Sequence, residues 1–281
     1  LNTMKKYYTR ACNFFYGLNS KKLIKEKLTL PLCGNNSISF NQIEIFIKNK
    51  KKISSKIIDI KNIKKLPITI KKKVSRDIKK ITAKRVFLRK KKHILMGVLN
   101  LTPDSFSDGG KFNSFKKANK RIKNMIDAGA NIIDVGGEST RPGSKTLNSE
   151  VEWKRVKHVM EKFKIKYKKT CLSIDTRKPD LMIKSIKCGV DLINDVSGFS
   201  YDKNSLKKTY KYKISKVLHH MQGTPKTMQK NPKYKNVLLD IYDFFENNIN
   251  NRFKDRNIIL DPGIGFGKNL KHNLTLISKI S

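Results

Sequence analysis

"KTCLSIDTRKPDLMIKSIKCGVDLINDVSG", residues 169–198, holds a complete structural unit in 30 residues. "CLSI" is an apolar run closed by Asp175 and Thr176, and "KPDLMIKSIKCGV" (178–190) has helical spacing. "DLINDVSG" (191–198) is a second apolar run, closed by Asn194 and Asp195. An apolar strand, a polar loop, an amphipathic helix and another apolar strand is the pattern of parallel strands joined by a crossover helix.

The same rhythm extends in both directions. It begins with "HILMGVLN" (93–100) and the helical "FKKANKRIKNMIDAGA" (115–130). In that helix Ile122, Met125, Ile126 and Ala130 share a face, and Gly129 is the stop signal. "NIIDVGGEST" (131–140) and a helix over 149–168 lead into the opening unit. After it come a helix near 203–212, "SKVLHHMQG" (215–223), a helix near 235–252, "RNIILDPGIGF" (256–266) and a sixth helix, "LKHNLTLISKI" (270–280). All six strands end in residues able to do chemistry: Asn100, Glu138 to Arg141, Asp175, Asn194 with Asp195, His220 to Gln222, and Asp261. A doubly wound open sheet gathers ligand residues at one switch point, whereas an α/β barrel gathers them at every strand end. The predicted architecture is therefore a TIM (β/α)8-type barrel over 91–281, with about six of eight βα units. A small, basic α+β extension precedes it over 1–90. In that extension "SISFNQIEIFI" (37–47) and "KIIDI" (56–60) read as strands, and 66–85 as a short strand followed by a helix.

The chain has 281 residues and a formal net charge of +41. The excess is spread: 25 basic against 4 acidic residues in 1–90, and 38 against 18 in the rest. Lys, Ile and Asn are abundant together and Lys far outnumbers Arg, which reads as composition bias. No specific nucleic-acid partner is expected. No apolar run approaches the ~20 residues that cross a bilayer, and no secretory segment is read. The four cysteines (Cys12, Cys33, Cys171, Cys188) form no metal-binding pattern and suit reduced thiols in a cytoplasmic protein.

"NLTPDSFSDGG" (100–110) is a lysine-free loop after the first strand, read as an active-site loop rather than an ordinary Ser/Asp turn. In "DVGGESTRPGS" (134–144), Asp134 interrupts an apolar strand, and a buried carboxylate needs a partner. Gly136 and Gly137 permit close backbone approach, and Arg141 offers a planar fork to a carboxylate or a diphosphate. Asp175, Asn194 and Asp261, converging at strand ends, suit a heterocycle with an amidine-like edge; each one singly also suits a helix N-cap. His219 and His220 lack a third ligand at metal spacing and read as packing residues. "DPGIGFGK" (261–268) lacks the glycine and Ser/Thr positions of a nucleotide phosphate loop.

In this order, "GVLNLTPDSFSDGG" (97–110), "DVGGESTRPGS", "SIDT" (173–176), "LINDVSG" (192–198), "HHMQG" (219–223) and "LDPGIGFGK" (260–268) closely resemble the dihydropteroate synthases of folate biosynthesis. The resemblance covers residues 93–270 and implies a TIM barrel. It implies a transferase joining (7,8-dihydropterin-6-yl)methyl diphosphate to p-aminobenzoate, with magnesium assisting and diphosphate leaving first. It implies that Asn100 ligates Mg²⁺ on the diphosphate side, that Asp175, Asn194 and Asp261 hold the pterin, and that Met221 packs beside it. Thr140 then lies near the diphosphate, and Gly265 and Phe266 line the aminobenzoate pocket. Loops carrying Asp104, Ser105, Phe106 and Ser107, and Arg141, Pro142 and Gly143, close over the site. Asp104, Phe106 and Arg141 are the expected catalytic residues. Lysines in the first of these loops would repel a cationic intermediate, which accounts for their absence there. The family's seventh and eighth strands carry a Lys, a Ser, an Arg and an Arg-x-His pair that find no match before Ser281, so the sequence is expected to be a C-terminally truncated part of a longer enzyme. A homodimer is implied, through late helices only partly present. The rival reading is a non-catalytic pterin-binding barrel, either an inactive paralogue or a module of the methyltetrahydrofolate methyltransferase type.

Overall fold

The computed structural model describes residues 5–49, 52–84, 94–102, 111–139, 146–224, 227–253 and 257–279. The chain divides into two compact units at Lys91/Lys92.

The first unit is a small antiparallel sheet with helices. Its elements are β1 (Lys6–Tyr16), α1 (Gly17–Lys25), β2 (Leu30–Leu32), β3 (Asn35–Lys48), β4 (Ile53–Asp59) and α2 (Ile68–Thr82). β3 is central: it pairs with β1 along one edge and with β2 and then β4 along the other. Ile70 and Val74 of α2 are buried against Ala11, Phe40, Ile43 and Ile45 of the sheet. Arg10 and Glu44 face each other across β1 and β3 and pair at 2.9 Å. The expected strand within 66–85 is absent. Pro67 is the N-cap of α2, and "ITI" (68–70) forms the first turn of that helix. Pro suits a helix start because its missing N–H has no helical partner there. β1 and α1 were not read from the sequence.

The second unit contains six parallel strands: β5 (Met96–Asn100), β6 (Ile132–Gly136), β7 (Cys171–Asp175), β8 (Leu192–Asp195), β9 (Ser215–His219) and β10 (Ile258–Asp261). Between and after them lie α3 (Lys111–Asp127), α4 (Ser149–Lys166), α5 (Pro179–Lys187), α6 (Ser205–Thr209), α7 (Val237–Asn251) and α8 (Leu270–Ser278). Each strand pairs with its sequence neighbour, from β5 through to β10, with no reversal. A doubly wound sheet would reverse at its switch point; unbroken succession is the progression of an α/β barrel. The helix expected near 203–212 is a short α6 followed by a single 3₁₀ turn, Tyr210–Tyr212.

Alternation along the strands separates two layers. Leu99, Ile133, Val135, Leu172, Ile174, Ile193 and Leu218 point outward and are fully buried beneath the helices, against Ile122, Val156, Met160, Phe163 and Leu181. Burying each such side chain contributes about 2 kcal/mol. The helices start on local signals. Asn148 caps α4 by accepting from Val151 N at 2.8 Å, and Pro179 opens α5. Asn269 and His272 form a reciprocal capping box on α8. The opposite strand faces carry the polar residues. No helix among the described residues is long and apolar enough to cross a membrane.

Candidate functional site

Parallel pairing sets the register of the polar residues. Asn100 is level with Gly136, Gly136 with Asp175, and Asp175 with Asn194. Paired residues of neighbouring strands point to the same side, so these four form one inward row at the strand C-termini. Asn194 is level with Val217, and two residues further along β9, on the same face, His219 is level with Asp261. The residues expected to share a mouth therefore lie on one face of the sheet, at one end.

Gly136 makes the row continuous. A Cβ there would lie 3.3 Å from both Asn100 Oδ1 and Asp175 Oδ2. The amide and the carboxylate thus flank the same space, and a side chain would fill it. One residue pair deeper, Asp134 is buried, as its apolar setting predicts, and its partner is Asn194, whose Nδ2 donates to Asp134 Oδ2 at 2.8 Å. With Nδ2 engaged below, Asn194 Oδ1 is left as an acceptor. Asp134 Oδ1 and Ser173 Oγ are also buried deep on this face.

Electrostatics mark the same residues. Loss of solvation raises Asp134 above the usual carboxylate range, against the opposing hydrogen bonds from Ser173 and Asn194. Desolvation, then the nearby Asp134 charge, raises Asp175 well above it. Asp195, fully buried on the outer side of β8, is pushed up to about 6 by burial, although Ser197 N and Oγ donate to its Oδ1 at 2.8 and 2.7 Å.

The far side of the mouth is built by the loop after β10. Gly263 N donates to Asp261 Oδ1 at 2.8 Å, and Asp261 Oδ2 lies 4.0 Å from His219 Nε2. His219 Nδ1 contacts Val196 O at 2.8 Å, and Phe266 stands edge-on to the His219 ring at 4.8 Å. His220 packs edge-on to Phe244 at 4.8 Å. Gly265 is exposed, its N–H held by Asn273 Oδ1 at 2.9 Å and its carbonyl accepting from Gln229. Met221 is half-buried directly after β9. Gly263 has φ +68, and a Cβ on it would lie 2.0 Å from His220 O, so only glycine fits.

A charge network missed by the sequence reading ties the loops after β6 and β7 together. Lys178, 4% exposed, donates to Glu138 and to fully buried Glu152, and Arg177 donates to Glu138. Burial opposes ionisation of Glu138, but Lys178 and Arg177 outweigh it and lower its pKa. One signal was available: Glu152 sits on the face of α4 that buries Val156, Val159 and Phe163. A charge on an apolar helix face calls for a buried partner. Gly137 lets α4 approach, since a Cβ there would be 3.0 Å from Glu152 O and Val156 Cγ1.

Asp104, Ser105, Phe106 and Ser107, and Thr140, Arg141, Pro142 and Gly143, lie outside the described residues. Among the described residues no group of three His, Cys, Asp or Glu could hold a metal ion.

Comparison with known proteins agrees with this geometry. Residues 96–281 match the model of the pterin binding enzyme family. The dihydropteroate synthase of Escherichia coli K12 is 43% identical over 191 residues, covering 66% of this chain and 67% of that protein. The crystal structure of the Yersinia pestis dihydropteroate synthase with a sulfonamide drug complex superposes with a TM-score of 0.62 at 39% identity, over 69% of this chain and 71% of that one. The Xanthomonas albilineans dihydropteroate synthase in complex with 7,8-dihydropteroate gives 0.58 at 29% identity, over 69% of each chain. An inward row of Asn, Asp and Asn on a parallel barrel sheet, the family match and these likenesses agree: the chain belongs to the pterin-binding enzymes, among the dihydropteroate synthases.

Proposed function

We propose that residues 91–281 transfer a dihydropterin-methyl group from its diphosphate to the amine of p-aminobenzoate, with diphosphate departing before the new C–N bond forms. The observation that carries this reading is the row Asn100–Gly136–Asp175–Asn194 with Asp134 beneath it. A pterin edge presents N–H donors beside acceptors. Asp175 accepts from the donors, and Asn194, its amide oriented by Asp134, supplies a defined acceptor. Asp261 on the opposite side takes a further N–H. Carboxylates that accept from the ring enrich it in electrons and stabilise positive charge on the methylene as diphosphate leaves.

Asn100 fits a magnesium site of one particular kind. Mg²⁺ commonly takes only one or two protein oxygens, the rest coming from phosphates and water. Asn100 is exposed at the end of β5, with Oδ1 on the space shared with Asp175. When bound, Mg²⁺ would neutralise charge on the departing diphosphate. Arg141 and Thr140 are assigned to the diphosphate, Met221 to the face of the pterin, and Gly265 and Phe266 to the aminobenzoate. Asp104 and Phe106 are assigned to a loop that shields the cation from water. A cytoplasmic homodimer belongs to the same reading.

The test is release of diphosphate from the dihydropterin diphosphate. Release should depend on Mg²⁺ and be driven through sustained turnover by p-aminobenzoate, which traps the cation after diphosphate has left, and Asn100→Ala should need more Mg²⁺ for half-maximal rate. Pterin binding with no diphosphate released under any condition would instead establish a non-catalytic pterin-binding barrel.

A further inference from the structure

Lys268 ends the "DPGIGFGK" loop and is buried, 3% exposed. Its Nζ lies 2.9 Å from Phe266 O, 3.1 Å from His220 Nδ1 and 3.4 Å from His220 O. An ammonium has three N–H bonds, and three acceptors surround this one. The arrangement requires His220 to be neutral, with its proton on Nε2. Burial, then the Lys268 charge, pushes His220 down to about 3, so the pair carries a single positive charge. Burial also lowers Lys268 to about 8, against the opposing influence of Asp261. Among the described residues Lys268 forms no ion pair. A side chain needed only to fill this space would be apolar, because burying an ammonium without a carboxylate is costly.

What the ammonium holds matters for the site. Phe266 O is one of its acceptors, and the Phe266 ring packs on His219, beside Asp261. The neighbouring carbonyl, Gly267 O, accepts from Tyr234 OH at 2.8 Å. A Cβ on Gly267 would lie 2.9 Å from Gln222 N, so the two loops approach at backbone distance.

We propose that Lys268 is a positioning residue for the second substrate: its protonated amine clasps the Phe266 carbonyl to His220, fixing the aromatic wall against which the arylamine docks, and loss of that proton loosens the wall. This rests on the assignment of Phe266 to the aminobenzoate pocket. The groups facing the clasp are His219 and His220 at the end of β9, Asp261 on β10, Tyr234 in the loop before α7, Asp240 in the first turn of α7, and His272 on α8, whose ring packs on Tyr234. His220 stays neutral through the alkaline range, and burial pushes Tyr234 up to about 12, so neither changes charge between pH 7 and 9.

The experiment compares the wild-type chain with Lys268→Met and Lys268→Arg in steady-state diphosphate release from pH 6.5 to 9.5. Wild type should show a KM for p-aminobenzoate that climbs as pH rises through about 8, with the KM for the pterin diphosphate flat. In Lys268→Met the KM for p-aminobenzoate should be roughly ten-fold higher at pH 7, the loss of one charge-assisted bond, and no longer respond to pH. Lys268→Arg, which keeps the charge and the N–H donors, should recover part of the affinity. A Met variant that fails to fold leaves the wild-type and Arg profiles to decide. Turnover with a flat wild-type KM, or equal rises for both substrates in Lys268→Met, would overturn the clasp alone. No diphosphate release by wild type would overturn it together with the reading it rests on.

Discussion

Two carboxylate pairs lie within a few residues of each other and are treated in opposite ways. Asp134 and Asp175 face the barrel interior, no lysine or arginine pairs with them among the described residues, and both are pushed above the normal carboxylate range. Glu138 and Glu152 share Lys178, and Glu138 also takes Arg177; the two cations lower Glu138, while burial still holds Glu152 above the usual range despite Lys178. In a chain carrying +41 the first pair does not lack cations through scarcity. A carboxylate already paired with a cation is a rivet between loops. A desolvated carboxylate without one keeps its accepting capacity for something else, and a ligand edge lined with N–H donors supplies the missing partner.

The comparison can be broken hardest at Lys178. Lys178→Met leaves fully buried Glu152 without its cation beside Glu138, which keeps Arg177, and should cost roughly 3–5 kcal/mol in chemical denaturation, with Lys178→Arg restoring much of it. A loss below about 1 kcal/mol would mean that the second pair is no rivet.

Next in size is Gly263, which sets the far side of the mouth. Gly263→Ala places a Cβ 2.0 Å from His220 O at φ +68 and should destabilise the chain by roughly 2–4 kcal/mol. Gly265→Ala, with nothing within 4 Å of its Cβ position, should cost only the left-handed strain of about 1 kcal/mol. Equal costs would show that the loop is not seated on β9 as described.

Much of this was readable beforehand, for a physical reason. Parallel strands joined by helices end at one side of the sheet, so Asn100, Asp175, Asn194 and Asp261 could be placed together from strand boundaries alone. The specificity of the Gly136–Gly137 pair also followed from close approach. The Lys178–Glu152 bond was not readable as a pair, since it spans 26 residues and two elements, although Glu152 on an apolar helix face was a usable sign. Lys268 gave no sign at all: one more lysine after a glycine-rich turn looks like surface in a lysine-rich chain. β1 was missed because its aromatic and polar residues do not alternate cleanly, with Asn13 at φ +54 interrupting the strand.

A smaller effect sharpens the contrast through pH. Asp195 titrates near 6 when folded against about 4 unfolded, and Asp134 and Asp175 are raised too. The folded state therefore holds these protons more tightly than the unfolded state. Their contribution favours folding at low pH and is lost as pH rises from about 4 through the folded values. Asp195→Asn should therefore flatten the decline in thermal midpoint between about pH 4 and 6. Glu138, lowered by its cations, has the opposite sign: it contributes above its unfolded value and is lost on acidification, so Glu138→Gln should leave that decline in place.

The most direct test of the central claim is equilibrium binding of a pterin to the whole chain, wild type against Asp175→Asn. The inner row predicts saturable binding by wild type and a loss of roughly 10²–10³-fold in affinity on substitution, since charge-assisted bonds to the ring are removed, with no fall in the unfolding midpoint. Equal affinity in the two proteins would contradict the assignment of the row to the pterin.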